Sequence, residues 1–250
     1  MTIPMEEICD ADVVKVGGLS VDQPQVQPHG VQEDSRMCIP LEEICVADVD
    51  KVGGLSAGLG DWISPLSTAG VPVPGGFSTT SFAYQDFLDK GGINAFINDK
   101  LGDDSIYADE NKLKQMGRAI CDKIMDTPFQ ADLEAELKLQ WERVSGGSET
   151  FAFVVSPSAT VEDLLDPSFP LTAGEELLDP LLPQLLKQAS ADRGGTHFKL
   201  MGYDDLKQKV HFIFAPLFTD RAIAYRRDRG YRHSNVQLCA TCLELGCSAA

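Results

Sequence analysis

Two stretches of the chain carry residue types and spacings suited to phosphate chemistry. The first, 51-KVGGLSAGLG-60, is glycine-rich. Adjacent glycines let backbone come close to a ligand, and N–H groups opening a helix point at an anion. Gly53 and Gly54 are the candidate cradle residues, although Leu55 follows them where a cation would be expected. The same residues also suit a turn that packs a helix onto a sheet. The second stretch, 155-VSPSATVED-163, leaves an apolar strand, 151-FAFVV-155, through a small-residue turn at 156–160. Its Ser158, Thr160, Glu162 and Asp163 fit either a phosphate-facing lid or the N-cap and acidic first turn of a helix.

Other constellations are less specific. The segment 239-CATCLELGC-247 offers Cys-x2-Cys and a third thiol, which His233 or a partner chain would have to complete into a zinc site. The alternative is that these cysteines are incidental. Arg221, Arg226, Arg227, Arg229 and Arg232 form a basic cluster in an acidic chain, the pattern of intramolecular ion pairs or a solvated helix end. His197, His211 and His233 stand beside no Ser or Cys arrangement that suggests a triad. Met116 and the aromatic series Phe82, Tyr84 and Phe87 read as core.

The balance of 38 acidic against 21 basic residues, a formal charge of −17, opposes unspecific attraction to nucleic acid or anionic membrane. A polyphosphate would have to be held by local donors against that field. No apolar run reaches the length of a membrane span, and the opening MTIPMEEICD is acidic where a signal segment would be basic. Seven cysteines, an odd number without a signal segment, suggest reduced thiols, so a cytoplasmic protein is expected.

These residues sit in a chain with a partial duplication. The segment 3-IPMEEICDADVVKVGGLS-20 returns as 39-IPLEEICVADVDKVGGLS-56, differing only at Met5/Leu41, Asp10/Val46 and Val14/Asp50. Two copies joined by a polar, Pro- and Gln-rich stretch do not make a solenoid. The expected organisation is an appendage over 1–36, a folded domain over 37–238 and a divergent Cys-rich tail over 239–250. Within the domain, helices are expected over 61–70, 81–90, 112–125 and 131–144, with 71–80 extended and 204–230 amphipathic. Such interleaving suits an α/β or α+β fold.

Taken in order and spacing, 52-VGGLSAGLG-60, 70-GVPVPGGFSTT-80, 126-DTPFQADLE-134, 158-SATVEDLLDPSF-169 and 217-LFTDRAIAYRRDRGY-231 resemble the N-terminal nucleotide-binding domain of the phosphoenolpyruvate synthase (pyruvate, water dikinase) family. The resemblance covers most of 45–237. It implies an ATP-grasp-like domain of the pyruvate-phosphate dikinase and phosphoenolpyruvate synthase type, incomplete at its C-terminus. It also implies ATP and Mg2+ as ligands, with phosphate passed to a histidine on a mobile domain and then to pyruvate. Gly53, Gly54, Ser158, Thr160, Glu162 and Asp163 are then expected near the phosphates.

Four departures qualify that expectation. Leu55 and Ser56 replace the family's lysine and asparagine, and Ser156 and Pro157 replace an arginine and a serine. A charge-assisted hydrogen bond contributes roughly 1.5–3 kcal/mol, so each lost cation weakens phosphate stabilisation about 10- to 150-fold. Residues 175–195 form an insertion, and the family's remaining strands, phosphohistidine domain and pyruvate barrel have no counterpart after 238. No catalytic residue or metal ligand is assigned. Activity alone is expected to be weak or absent, and exposed sheet edge and apolar surface are expected to make the domain marginally stable or partner-dependent. The implied partners are a full-length family member or a separate phosphohistidine subunit. A non-catalytic interaction protein and a kinase-like tailoring protein for a small molecule are the alternatives.

Overall fold

A computed structural model of the chain describes residues 35–148, 153–160, 202–228 and 230–244. The first repeat copy, Glu162, Asp163 and the insertion over 175–195 lie outside the described residues, as does Cys247. Four antiparallel strands form one sheet: β1 (Cys38–Pro40), β2 (Gly76–Thr79), β3 (Phe153–Ala159) and β4 (Leu238–Glu244), in the order β1-β2-β4-β3. The last strand in sequence therefore lies inside the sheet, pairing Phe77 with Cys242 on one side and Val155 with Cys242 on the other. Residues 239–244, read from the sequence as the start of a tail, are thus part of the sheet.

Alternation along the strands sends two sets of side chains to opposite faces. Phe77, Phe153, Val155, Leu238, Ala240 and Cys242 enter the larger core cluster, built with the helices on that face. Ile39 and Leu243 turn the other way, toward α1 (Val49–Thr68), where Val52, Ala57 and Ile63 make a smaller cluster with Leu41 and Ile44.

The helices of the larger layer follow local signals. Thr80 caps α2 (Ser81–Lys90), its Oγ1 accepting from the Ala83 N–H at 3.1 Å, and Gly91 ends it. A further helix, α3 (Ile93–Leu101), follows at once and was not expected from the sequence. Asp109 caps α4 (Glu110–Asp126) by accepting from the N–H groups of Asn111 and Lys112. Leu113, Ile120 and Ile124 form its buried stripe, with Met116 packed at the margin. Helix α5 (Ala131–Ser145) ends at Gly146, whose φ of 59° is left-handed. The amphipathic segment after 203 divides into α6 (Tyr203–Phe214) and α7 (Asp220–Asp228). Among the described residues no helix is long and apolar enough to cross a membrane.

The basic cluster does not behave as one surface. Arg227 lies over the Tyr107 ring at 3.7 Å from its centroid and pairs with Asp104 at 3.4 Å. Arg226 is fully buried, donating from Nε to His233 Nδ1 at 3.2 Å and from Nη2 to the Leu217 carbonyl. Burial brings the Arg226 guanidinium down to about 10, which leaves it charged at neutral pH. Burial, reinforced by that neighbouring charge, pushes His233 down to about 4. The accepting role of Nδ1 also requires a neutral ring.

The unfolded chain therefore takes up a proton near pH 6.5 that the folded protein resists until about pH 4. Stability from this contact is complete above pH 6.5 and is lost as pH falls. We expect the urea-unfolding free energy to drop between pH 6.5 and 4.5 by on the order of 1–2 kcal/mol more in the wild type than in His233→Asn, which keeps an acceptor but cannot titrate. Equal slopes in the two proteins would contradict this assignment.

Candidate functional site

The glycine-rich stretch occupies the start of α1, where two short 3-10 turns, Leu41–Glu43 and Val46–Asp48, deliver the chain. Asp48 accepts from the Cys45 N–H at 3.1 Å and from Lys51 Nζ at 2.8 Å. Partial burial works to raise the Asp48 carboxyl, but hydrogen bonds from Lys51 and Cys45 outweigh it and hold the group below the usual carboxylate range. The ammonium nearest in sequence to the glycine pair is thereby engaged by a carboxylate.

At Gly53 the helix breaks. Its φ of 78° and ψ of 165° turn the chain between a first helical turn and the body of α1. A Cβ there would lie 2.3 Å from Ser158 Oγ and 2.6–2.7 Å from the backbone carbon and oxygen of Ser158. Both the backbone angle and the space demand glycine. Gly54 follows, half-buried, and opens the helical body. Ser158 Oγ, fully buried on β3, accepts the Ser56 N–H at 3.1 Å, so a strand side chain acts as a through-space cap on the broken helix.

Beneath this turn lies a set of buried hydroxyls. Ser56 Oγ donates to Ser78 Oγ at 2.8 Å and stands 2.6 Å from Thr241 Oγ1, while Ser78 Oγ donates to the Thr79 carbonyl at 2.9 Å. Thr160 closes the adjacent ladder: its N–H donates to the Gln237 carbonyl at 3.1 Å and its Oγ1 accepts from the Gln237 N–H at 3.3 Å.

Of the six residues expected from the sequence, Gly53 and Ser158 meet directly, Gly54 adjoins them and Thr160 lies two residues further along the chain from Ser158. Glu162 and Asp163 fall outside the described residues. The expected turn at 156–160 is corrected: β3 continues through Ala159. Pro157 is tolerated because it faces Ala240 at a position where the ladder needs no donor from it. The Ala240 N–H points to the far side, to Thr79 Oγ1 at 2.7 Å. Sequence reasoning missed Ser56, Ser78 and Thr241. The available signal was polar residues interrupting apolar β2 and β4, and Thr241 had been placed in a tail.

The departures in charge are visible in place. Leu55 is 38% exposed beside the turn, and Ser156 sits on β3 opposite Thr241. Cys239 and Cys242 are three apart on a strand and face opposite sides, so they cannot grip one ion. Among the described residues no group of three or more His, Cys, Asp or Glu side chains comes together for a metal. Two surface cavities, of about 450 and 270 Å3, are lined by residues such as Lys90, Lys123 and Gln130, and Tyr107, Leu113 and Arg227. Neither is lined by Gly53, Gly54 or Ser158.

Residues 49–250 match the family described as pyruvate phosphate dikinase, AMP/ATP-binding domain, and the chain belongs to that family. Its mixed helix and antiparallel-sheet architecture is of the ATP-grasp-like type. Among its relatives, phosphoenolpyruvate synthase of Escherichia coli (strain K12) is 39% identical over 185 residues, covering 74% of this chain and 21% of the relative. The synthase of Pseudomonas aeruginosa (strain UCBPP-PA14) is 37% identical over 186 residues, with 74% and 21% covered. That of Helicobacter pylori (strain ATCC 700392 / 26695) is 33% identical, with 73% and 20% covered. The chain spans about a fifth of the length of these relatives.

The repeat now resolves at the level of sequence. Gly60, in the second copy's continuation, lies where a Cβ would come 2.5 Å from the Ile44 carbonyl oxygen, and Ala57 is fully buried. The corresponding residues after the first copy are Pro24 and Val21. Proline can neither donate inside a helix nor avoid that contact, so only the second copy can lead into this α1.

Two outcomes follow from this geometry. Gly53→Ala should lower unfolding free energy by about 2–4 kcal/mol through strain and overpacking, whereas Gly58→Ala, which meets nothing within 4 Å, should be neutral or stabilising by up to about 1 kcal/mol. Urea titration of both variants decides this, and equal stability would refute the close approach. Deleting residues 2–34 should leave the melting temperature of the remainder within about 2 °C of the intact chain, a change below about 0.5 kcal/mol for a domain of this size. A larger fall would show that the first copy contributes to the fold.

Proposed function

We propose that this chain is an ATP-binding domain whose Gly53–Gly54 turn receives the nucleotide phosphates, and that it is weak or inactive as a phosphotransferase by itself. The observation that carries the reading is the seating of the broken α1 on Ser158, within a chain that belongs to an AMP/ATP-binding family. A backbone turn held against a sheet can present N–H groups to an anion without reorganising. Glu162 and Asp163 are proposed to lie close by, where Mg2+ would neutralise phosphate charge when bound. The described residues supply no cluster for that ion.

Transfer asks for more than binding. Phosphoryl transfer depends on cations converging on the migrating group, and serine at 156 cannot grip phosphate as an arginine does. Leu55 and Ser156 together support the reading that binding outlives transfer here. The phosphate acceptor and the pyruvate-handling parts would come from elsewhere, since the relatives named phosphoenolpyruvate synthase are about five times longer than the matched region. The proposed partners are a full-length family member or a separate phosphohistidine subunit, in the cytoplasm. The same two positions favour a second reading, a non-catalytic interaction protein on the family scaffold, over a kinase-like tailoring protein. The folded domain is proposed to begin near residue 37 and to include β4, with 1–36 as an appendage.

Thermal unfolding with and without millimolar Mg·ATP tests the reading. A ligand at a hundredfold excess over its dissociation constant stabilises the folded state by about 2.7 kcal/mol. We expect a clear upward shift, abolished by Gly54→Phe and enlarged by Leu55→Lys, which returns a charge worth about tenfold in affinity or more. A folded sample with no shift in either the wild type or Leu55→Lys would refute nucleotide binding and leave the interaction protein.

A further inference from the structure

We propose that the buried hydroxyls of Thr241, Ser56 and Ser78 form a directed hydrogen-bond chain that holds the Gly53–Gly54 turn in its ligand-ready shape, making all three positioning residues for the nucleotide. The inference rests on the nucleotide reading above and assigns a role to residues outside the turn itself.

The direction of the chain follows from counting protons. The Ser78 hydroxyl donates to the Thr79 carbonyl, and the Ser56 hydroxyl donates to Ser78 Oγ. Ser56 has no second proton, so the 2.6 Å contact with Thr241 must be a donation from Thr241 Oγ1 to Ser56 Oγ. Each hydroxyl proton is used once and the series ends on a carbonyl. Ser56 and Ser78 are fully buried and Thr241 nearly so, at 2% exposure, which places the chain beyond the reach of competing solvent.

Ser56 is therefore referenced to three strands at one point: to β2 through Ser78, to β4 through Thr241 and, by its N–H, to β3 through Ser158. The neighbouring contacts of α1, at Val52, Ala57 and Ile63, are apolar. Packing alone would be met by alanine or valine at these sites. What the hydroxyls add is direction, fixing the rotation of the first turn of the helical body. Gly54 and Leu55 lie between that anchor and the break at Gly53, so their N–H vectors are set by it. The Ser56 N–H is committed to Ser158 and is not among the donors offered to a ligand. Ser158 thereby acts on the nucleotide through the turn.

The test uses the full chain and two readouts. Thr241→Val removes the first donor while keeping shape and strand preference, Ser56→Ala removes the central link, and Thr241→Ser keeps the hydroxyl. We expect Thr241→Val and Ser56→Ala to weaken Mg·ATP affinity about 5- to 30-fold, with Thr241→Ser within about threefold of wild type. In the ligand-free protein the same two variants should speed amide hydrogen exchange at residues 54–57, while exchange in α4 and α5 stays as in wild type. Unchanged exchange at 54–57 in folded Thr241→Val, or affinity kept within twofold, would overturn the proposal. Absence of Mg·ATP binding by the wild type would overturn the nucleotide reading, and the exchange comparison would still decide whether the hydroxyls hold the turn.

Discussion

The approach of Gly53 to Ser158 sets the geometry of the domain. A side chain at position 53 would occupy the space of a strand backbone, so α1 can lie on the sheet only if it breaks there and resumes as a second helical piece. That contact in turn requires β3 to be in register with β4, because Ser158 faces Cys239 and the hydroxyl beneath the turn comes from Thr241. The glycine turn, the end of β3 and the interior strand are therefore one construction. Loss of any of them removes the floor on which the others rest.

Both sheet edges are protected by devices other than further strands. At one edge, Glu136 of α5 accepts from the N–H groups of Met37 and Cys38 at 2.8 and 2.9 Å, ending the short β1 without leaving its donors open. At the other edge, Pro157 removes a donor from β3. The exposed apolar surface lies instead on α1, where Trp62 is 74% and Leu66 40% exposed. Across 52–68, Asp61 is the sole charged residue. The sheet edges are thus better defended than the outer side of the helix that carries the candidate site.

How much of this was legible depended on whether the deciding interaction was local. The ends of α2, α4 and α5 were, because caps and stops such as Gly91 and Gly146 act within a few residues of the elements they bound. The extension of β3 was not: proline and small residues read as a turn, and only the pairing partner shows that Pro157 occupies a position requiring no donor. The role of 239–244 was hidden for a related reason, since Cys-x2-Cys draws attention to metal chemistry while the alternation of Leu238, Ala240 and Cys242 against Cys239 and Thr241 is the informative pattern. Gly53 and Ser158 were found through motif resemblance. Ser56 was noted only as a departure from that motif, and the burial of Arg226 within a basic cluster left no local signal at all.

A chain of net charge −17 cannot rely on its overall field to hold a polyphosphate. Binding and transfer then make different demands. Binding can draw on backbone donors fixed by the fold, whose positions here are referenced to three strands. Transfer must stabilise charge that migrates between oxygens, which asks for mobile or bidentate cations close to the reacting phosphorus. Leucine at 55 and serine at 156 remove such groups while leaving the turn and its supports intact. The substitutions thus separate the two demands at the level of single residues: those that shape the cradle are present, and those that would drive the chemistry across it are replaced by neutral side chains.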